Sequence, residues 1–122
     1  MLLDYDDEGD ILEVIFDERL HRAKVEKAAY RLRDGFMLYL AVDSMKPVQL
    51  TVVNYWRLMQ LPVVPFDGWQ KLKKTVQKQL LPIITSPPLS TFLKLDPKTG
   101  YGHLSKPAMP EVFSPETFSL AA

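Results

Sequence analysis

Apolar and polar residues alternate along several short stretches in the first half of the chain, a pattern typical of β-strands with one face against a core. The stretches cover residues 2–5, 11–16, 29–33, 36–42 and 48–54. Asp34-Gly35 separates the third from the fourth and is the strongest hairpin signal in the sequence. In the first turn, Gly9 is placed for a positive φ. We therefore predict an antiparallel β-meander of four to five strands within residues 1–54.

The stretch 36–42 is apolar on both of its faces. In a strand, the even-numbered residues project to one side and the odd-numbered residues, which include Met37 and Tyr39, project to the other. A strand that is apolar on both faces is usually covered on both. We expect Met37 and Tyr39, together with Trp56, to form a sheet interface that the C-terminal half or a second subunit covers.

The second half of the chain contains helical patterns. Asn54 is placed to cap a short helix that runs to Met59, and Asp67 to cap a longer helix over residues 68–80 that ends near Pro82. Apolar residues recur at helical spacing along the longer segment, beginning at Trp69. We predict that this is the main helix of the fold and that it packs against the meander.

The remaining segments complete the predicted α+β architecture. Residues 92–95 and 101–104 are separated by turn residues and form a possible extra hairpin. Residues 106–122 are rich in proline, so we expect an extended or partly disordered tail. At 122 residues the chain has room for one domain, which we place at 1–105, with 55–105 as a helix and hairpin extension of the meander.

Composition narrows the classes of function. The chain has no cysteine, which excludes disulfides, thiolate zinc sites and cysteine nucleophiles. No apolar run approaches the roughly 20 residues that cross a bilayer. The first residues lack the basic start and apolar run of a signal peptide. We expect a soluble, cytoplasmic protein with no membrane association.

The formal net charge is zero, but the charges are segregated along the chain. Residues 1–18 contain eight acids and no Lys or Arg, whereas residues 46–106 contain nine bases and two acids. The bases that form a possible nucleic-acid or partner surface are Arg57, Lys71, Lys73, Lys74 and Lys78. They favour phosphate contacts, with Tyr55, Trp56 and Trp69 as stacking partners. The alternative is a solvated helix face and two halves that neutralise each other, and we prefer that alternative.

Catalytic and metal-binding patterns are weak. Asp4, Asp6 and Glu8 alternate like the first half of a calcium loop, but the closing acid of such a loop would fall at Ile15. A solvated hairpin turn is the simpler interpretation. The two histidines, His21 and His103, are far apart in sequence. Glycine-rich phosphate loops and serine-nucleophile elbows are missing, so we expect no enzyme, cofactor or metal.

The N-terminal half resembles a small, uncharacterised bacterial family, Domain of Unknown Function 2283. The resemblance lies in an opening strand and acidic turn at residues 3–12 and in the strands at 36–43 and 46–52. It departs from the family pattern after Asp43, where a glycine is missing, and at Thr51, where an acidic residue is usual. The resemblance implies an antiparallel sheet packed against a helix, and it implies no catalytic residue.

Two functions from different classes follow as hypotheses. The first is a non-enzymatic protein-interaction or assembly module that self-associates, with a homodimer as its simplest form. The second is a nucleic-acid-binding, antitoxin-like regulator that uses the basic helix at 68–80.

Overall fold

A computed structural model describes residues 1–105, which form two antiparallel sheets and four α-helices, and this confirms the predicted α+β class. The strands are β1 (Leu2–Asp6), β2 (Ile11–Ile15), β3 (Lys27–Arg33), β4 (Phe36–Ala41), β5 (Pro47–Val53), β6 (Val64–Pro65), β7 (Leu93–Leu95) and β8 (Tyr101–Leu104). The helices are α1 (Glu18–Arg22), α2 (Tyr55–Met59), α3 (Asp67–Lys71) and α4 (Lys74–Ile84), and a 3₁₀ helix spans Leu89–Thr91. No helix within residues 1–105 is long and apolar enough to cross a membrane.

The larger sheet has the strand order β1-β2-β5-β4-β3. Strands β3, β4 and β5 follow one another as a meander, and the β1–β2 hairpin adds beside β5. The connection from β2 to β3 contains α1, whose first turn is capped by Asp17: its carboxylate accepts a hydrogen bond from the Leu20 amide at 3.0 Å. Because this connection leads from β2 to the far edge of the sheet, β5 becomes the central strand.

Turn chemistry explains two of the three hairpins of this sheet. Gly35 has φ +76°, as the Asp-Gly signal predicts. In the first turn, however, the residue with positive φ (53°) is Asp10 and not Gly9. Aspartate tolerates this conformation better than most residues, and in this chain it also orients the Asp10 carboxylate toward α2.

One face of the five-stranded sheet forms the core, with only Leu3, Ala28 and Tyr30 of its outer strands half-buried. Its side chains alternate along the strands as predicted, and the fully buried members include Leu12, Val14, Phe36, Leu38, Leu40, Leu50 and Val52. The C-terminal half covers this face, because the core formed by these residues is continuous with side chains of α3, α4 and the smaller sheet. Two edge-to-face aromatic contacts join the halves: Phe36 with Phe66 (5.2 Å between centroids) and Phe16 with Phe92 (6.1 Å).

The smaller sheet has the order β6-β8-β7. Strands β7 and β8 are the extra hairpin that the sequence predicts, and β6 adds to β8 through Val64 and Pro65. The predicted tail at 106–122 lies outside the described residues.

The single helix predicted over residues 68–80 is wrong. Two helices, α3 and α4, occupy this region, and the backbone between them is extended at Leu72 and Lys73. Gly68 and Trp69 hold α3 against β3, whereas Leu80 and Ile84 of α4 are buried near β7 and the 3₁₀ helix. One straight helix would not reach both places, so tertiary packing overrides the local helical pattern.

The predicted ends of these helices also need correction. Phe66 is the N-cap of α3, and Asp67 is the first helical residue, where its carboxylate pairs with Lys71 at 4.0 Å. Pro82 does not end α4, which continues to Ile84 with the proline inside it. Asn54 does precede α2, but its side chain makes no capping hydrogen bond.

Candidate interaction surface

The second face of the five-stranded sheet carries the alternate side chains of all five strands, and we call it the open face. Strand register aligns these side chains in rows across the sheet. The two longest rows are Leu2–Ile15–Gln49–Tyr39–Ala29 and Asp4–Glu13–Thr51–Met37–Arg31. None of these ten side chains is buried, in contrast to the other face. Helix α1 contacts β5 but contributes no buried residue.

The open face carries half-buried apolar side chains on either side of a polar pair on the central strand, Gln49 and Thr51, which hydrogen-bond to each other at 3.1 Å. Ile11 and Ile15 of β2, Met37 and Tyr39 of β4 and Val53 of β5 are all of intermediate exposure. At its β1 side Leu2 is 49% exposed. The expectation that Met37 and Tyr39 need a cover therefore remains open, because the C-terminal half packs on the opposite face.

Charges of opposite sign lie on the two sides of the open face. On the β1 side Asp4 lies directly opposite Glu13, and both side chains are exposed. Like charges in that position destabilise a strand pair. On the β3 side the face carries Lys27 and Arg31, which lie opposite Ala41 and Met37. The open face therefore runs from an acidic side at β1 and β2 to a basic side at β3, with the polar pair Gln49 and Thr51 on the central strand.

Trp56 does not belong to the open face by register, because it lies on α2, after β5 ends. Its backbone amide donates to the Asp10 carboxylate at 2.8 Å, and the Arg57 amide donates to the same carboxylate at 3.3 Å. The Tyr5 hydroxyl also donates to Asp10, at 2.7 Å. Asp10 thus caps α2 from a distant turn and joins the first hairpin to the helix.

Tyr55, the first residue of α2, is buried next to Tyr5, with 6.3 Å between ring centroids. Its hydroxyl has no hydrogen-bond partner among residues 1–105. Burial raises the pKa of Tyr55 well above its ordinary value. The pKa of Tyr5 is also raised, mainly by burial and secondly by the hydrogen bond to Asp10. Both phenols are therefore held neutral in the folded chain.

We expect Tyr55→Phe to leave stability unchanged or to raise it by about 1 kcal/mol, because the substitution removes a buried, unpartnered hydroxyl. A tyrosine whose folded pKa is raised contributes stability that is complete below its unfolded pKa of about 10 and falls as the pH rises above it. The wild type should therefore lose stability above about pH 10, and Tyr55→Phe should lose less. Urea denaturation across this range measures both effects.

Tyr5→Phe is the matched control, because it removes a hydroxyl that donates to Asp10. It should destabilise the chain at neutral pH, by about 1 kcal/mol. A Tyr55→Phe variant less stable than Tyr5→Phe would show that the Tyr55 hydroxyl has a stabilising partner.

The predicted basic surface is divided between three segments. Arg57 lies on α2, Lys71 on α3, and Lys74 and Lys78 on α4, with Lys73 just before α4. All five are exposed. Two of the three aromatic residues expected to stack on bases are buried: Trp69 and Tyr55 are each 1% exposed, and the Trp69 indole donates to the Pro97 carbonyl at 3.4 Å. The lysines therefore lack the stacking platform that the sequence suggested.

The acidic turn and the histidines do not form a joint site. Asp6 accepts hydrogen bonds from the amides of Glu8 and Gly9, the pattern of a solvated turn. His21 lies on α1 and His103 on β8. Within residues 1–105 no group of three or more His, Asp or Glu side chains is placed to hold a metal ion.

Two shallow clefts lie in the C-terminal half, each of about 180 Å³. One is lined by Ile84, Ser90, Leu93 and Leu95 among others, and the other by Trp69, Lys74, Lys78 and Pro97 among others. Both are smaller than the roughly 300 Å³ at which pockets for small organic ligands begin. The extended open face is therefore the stronger candidate for a binding surface.

Comparison of the chain with protein-family models, with curated proteins and with solved structures found no match. The resemblance to Domain of Unknown Function 2283 stays a prediction from the quoted segments.

Sequence reasoning named Met37 and Tyr39 but missed the rest of the open face. The alternation along the strands could have identified these residues. Ile11, Ile15 and Val53 alternate with the buried side chains of their strands, so they project to the opposite face. Asp10 was missed for a different reason. A contact to Trp56, 46 residues away, has no signal in the local sequence.

Proposed function

We propose that this chain is a non-enzymatic protein-interaction module that self-associates through the open face. The observation that carries the proposal is the set of half-buried apolar side chains, among them Ile15, Met37 and Tyr39, on the face of the sheet that the C-terminal half does not cover. A β-sheet that is apolar on both faces gains free energy when both are removed from water.

The composition of the face also supports this function. Protein interfaces are typically apolar at the centre and polar at the rim, with Tyr and Met enriched. Tyr39 and Met37 lie on β4, next to the central strand, and Asp4 and Arg31 lie at the two edges.

The nucleic-acid-binding, antitoxin-like alternative has less support. It rests on exposed bases distributed over α2, α3 and α4, and Lys71 among them already pairs with Asp67. The burial of Trp69 and Tyr55 removes two of the three aromatic side chains that were expected to stack on bases.

The test is a charge placed at the centre of the open face. We expect Tyr39→Asp to remain folded, because Tyr39 is outside the buried core, and to weaken self-association at least about tenfold, because a carboxylate would be desolvated in the interface. Sedimentation velocity over a concentration series measures association, and circular dichroism measures folding.

Thr75→Asp is the matched control, since Thr75 is exposed on α4 and lies outside the open face. It adds the same charge and should associate like the wild type. Equal association of wild type, Tyr39→Asp and Thr75→Asp would exclude the open face as the interface.

A further inference from the structure

We propose that two copies of the chain pack open face to open face about a two-fold axis that runs along β5, so that β1 of one copy lies over β3 of the other. This arrangement rests on the self-association proposed above and adds the geometry of the pair. It follows from the strand order, the strand register and the distribution of charge.

Strand order allows two simple two-fold arrangements. Strand β5 is central, with β2 and β1 on one side and β4 and β3 on the other. An axis parallel to β5 exchanges the two sides, so β1 faces β3 and β2 faces β4 of the second copy. An axis in the plane of the interface but perpendicular to the strands leaves each strand facing its own copy.

Charge distinguishes the two arrangements. With the axis along β5, Asp4 of one copy faces Arg31 of the other, because both lie in the row Asp4–Glu13–Thr51–Met37–Arg31. Glu13 faces Met37 in this arrangement, and Lys27 lies beyond the last row that β1 reaches. The match occurs twice, once at each edge of the pair. With the perpendicular axis, acids face acids and bases face bases, and like-charge contacts of this kind cost several kcal/mol in an interface.

The apolar residues match in the same arrangement. Rows are preserved by an axis along the strands, so Ile15 of one copy faces Tyr39 of the other, and Leu2 faces Ala29. Gln49 and Thr51 of β5 lie on the axis and face their own copies. The two sheets would pack about 10 Å apart with their strands within about 30° of each other, as in β-sandwiches.

The size of the face sets the expected affinity. Five strands at about 4.8 Å spacing make a face about 19 Å wide between its outer strands. Strands of five to seven residues are about 17–24 Å long, so each copy offers a face on the order of 400 Å². Two such faces bury less than the roughly 1,200 Å² of a standard interface, so the pair belongs with the weak, transient ones. We therefore expect a dissociation constant in the micromolar range, which is measurable by sedimentation.

Two complementary charge reversals test the arrangement in the full chain. The acid-reversed variant carries Asp4→Lys and Glu13→Lys, and the base-reversed variant carries Lys27→Glu and Arg31→Glu. Each alone has a face of one sign, so each should dimerise at least about tenfold more weakly than wild type. Mixed together, they should form a heterodimer about as tight as the wild-type dimer, because both edges are again matched.

The control pairs the acid-reversed variant with Lys74→Glu/Lys78→Glu, which has the same net charge as the base-reversed variant but is altered outside the open face. This mixture should form heterodimers at least about tenfold more weakly than the two reversed variants do, because only one of its two edges is matched. If the base-reversed variant does not fold, as judged by its thermal transition, Arg31→Glu alone takes its place.

The outcomes separate this inference from the proposed function. A wild type that is monomeric throughout, whether from lack of affinity or because another part of the chain covers the face, overturns both. A wild-type dimer that Tyr39→Asp disrupts but the acid reversal leaves intact overturns the axis along β5 and keeps the interface. Heterodimers in the control mixture that are as tight as those of the two reversed variants would show that net charge alone drives association, and this also overturns the arrangement.

Discussion

Leu40→Asp should leave most of the chain unfolded at room temperature. Leu40 lies on β4 and is 0% exposed, within the core that joins the five-stranded sheet to the C-terminal half. An unpaired carboxylate at this place costs several kcal/mol, and the lost leucine adds the cost of an unfilled cavity. Together these approach the roughly 5–15 kcal/mol by which a domain of this size is stable.

Tyr39→Asp is the sharpest control for Leu40→Asp, because it places the same charge one residue earlier on the same strand. Its side chain points to the open face, so the variant should keep a cooperative thermal transition. Circular dichroism and urea denaturation compare the two. A folded Leu40→Asp variant, or two variants that are equally destabilised, would contradict the assignment of the buried and open faces.

Gly68→Ala should be strongly damaging for so small a substitution, with a loss of about 3 kcal/mol in the free energy of unfolding. Gly68 is buried at the start of α3, where the helix meets the backbone of β3. A Cβ atom built on Gly68 would overlap the carbonyl oxygen of Arg31 and lie 2.7 Å from the carbonyl carbon of Leu32. Neither atom belongs to a flexible side chain, so relief requires α3 to move away from the strand.

Gly9→Ala provides the matched control. A Cβ at Gly9 would meet the Asp6 carboxylate at 2.9 Å and the end of the Ile11 side chain at 3.2 Å, and these flexible groups can shift. Gly9 is exposed and does not have a positive φ. Chemical denaturation should show a change within about 0.5 kcal/mol for Gly9→Ala. An equally small change for Gly68→Ala would mean that α3 does not pack closely on β3.

The strands of the larger sheet could be predicted because each carries its own signal. Alternation placed β4 and β5 to within one residue of their observed bounds, and Asp34-Gly35 marked the turn between β3 and β4. The order of the strands could not be predicted in this way. Alternation states which side of a strand is buried, but it does not state which strand is its neighbour.

The helices of the second half show the limit of local patterns. Trp69 and Leu80 share a helical stripe in the sequence, and both are buried as that stripe predicts. They nevertheless belong to different helices, because Gly68 must approach β3 closely while α4 turns toward β7. The break between the two helices is required by packing against β3 and β7, and the hydrophobic periodicity of the helical segment does not indicate it.

The apolar part of the open face could be predicted from the sequence, but its distribution of charge could not. The two apolar faces of β4 indicated that Met37 and Tyr39 need a cover. The acidic and basic sides of the open face become visible only when Asp4, Glu13, Lys27 and Arg31 are placed on the sheet in register.

Sedimentation equilibrium of the wild-type chain and of Tyr39→Asp, from about 1 µM to about 1 mM, tests self-association through the open face most directly. We expect the apparent mass of the wild type to rise from that of a monomer toward that of a dimer over this range, while Tyr39→Asp stays near the monomer mass. A wild type that remains a monomer up to the highest concentration would contradict self-association.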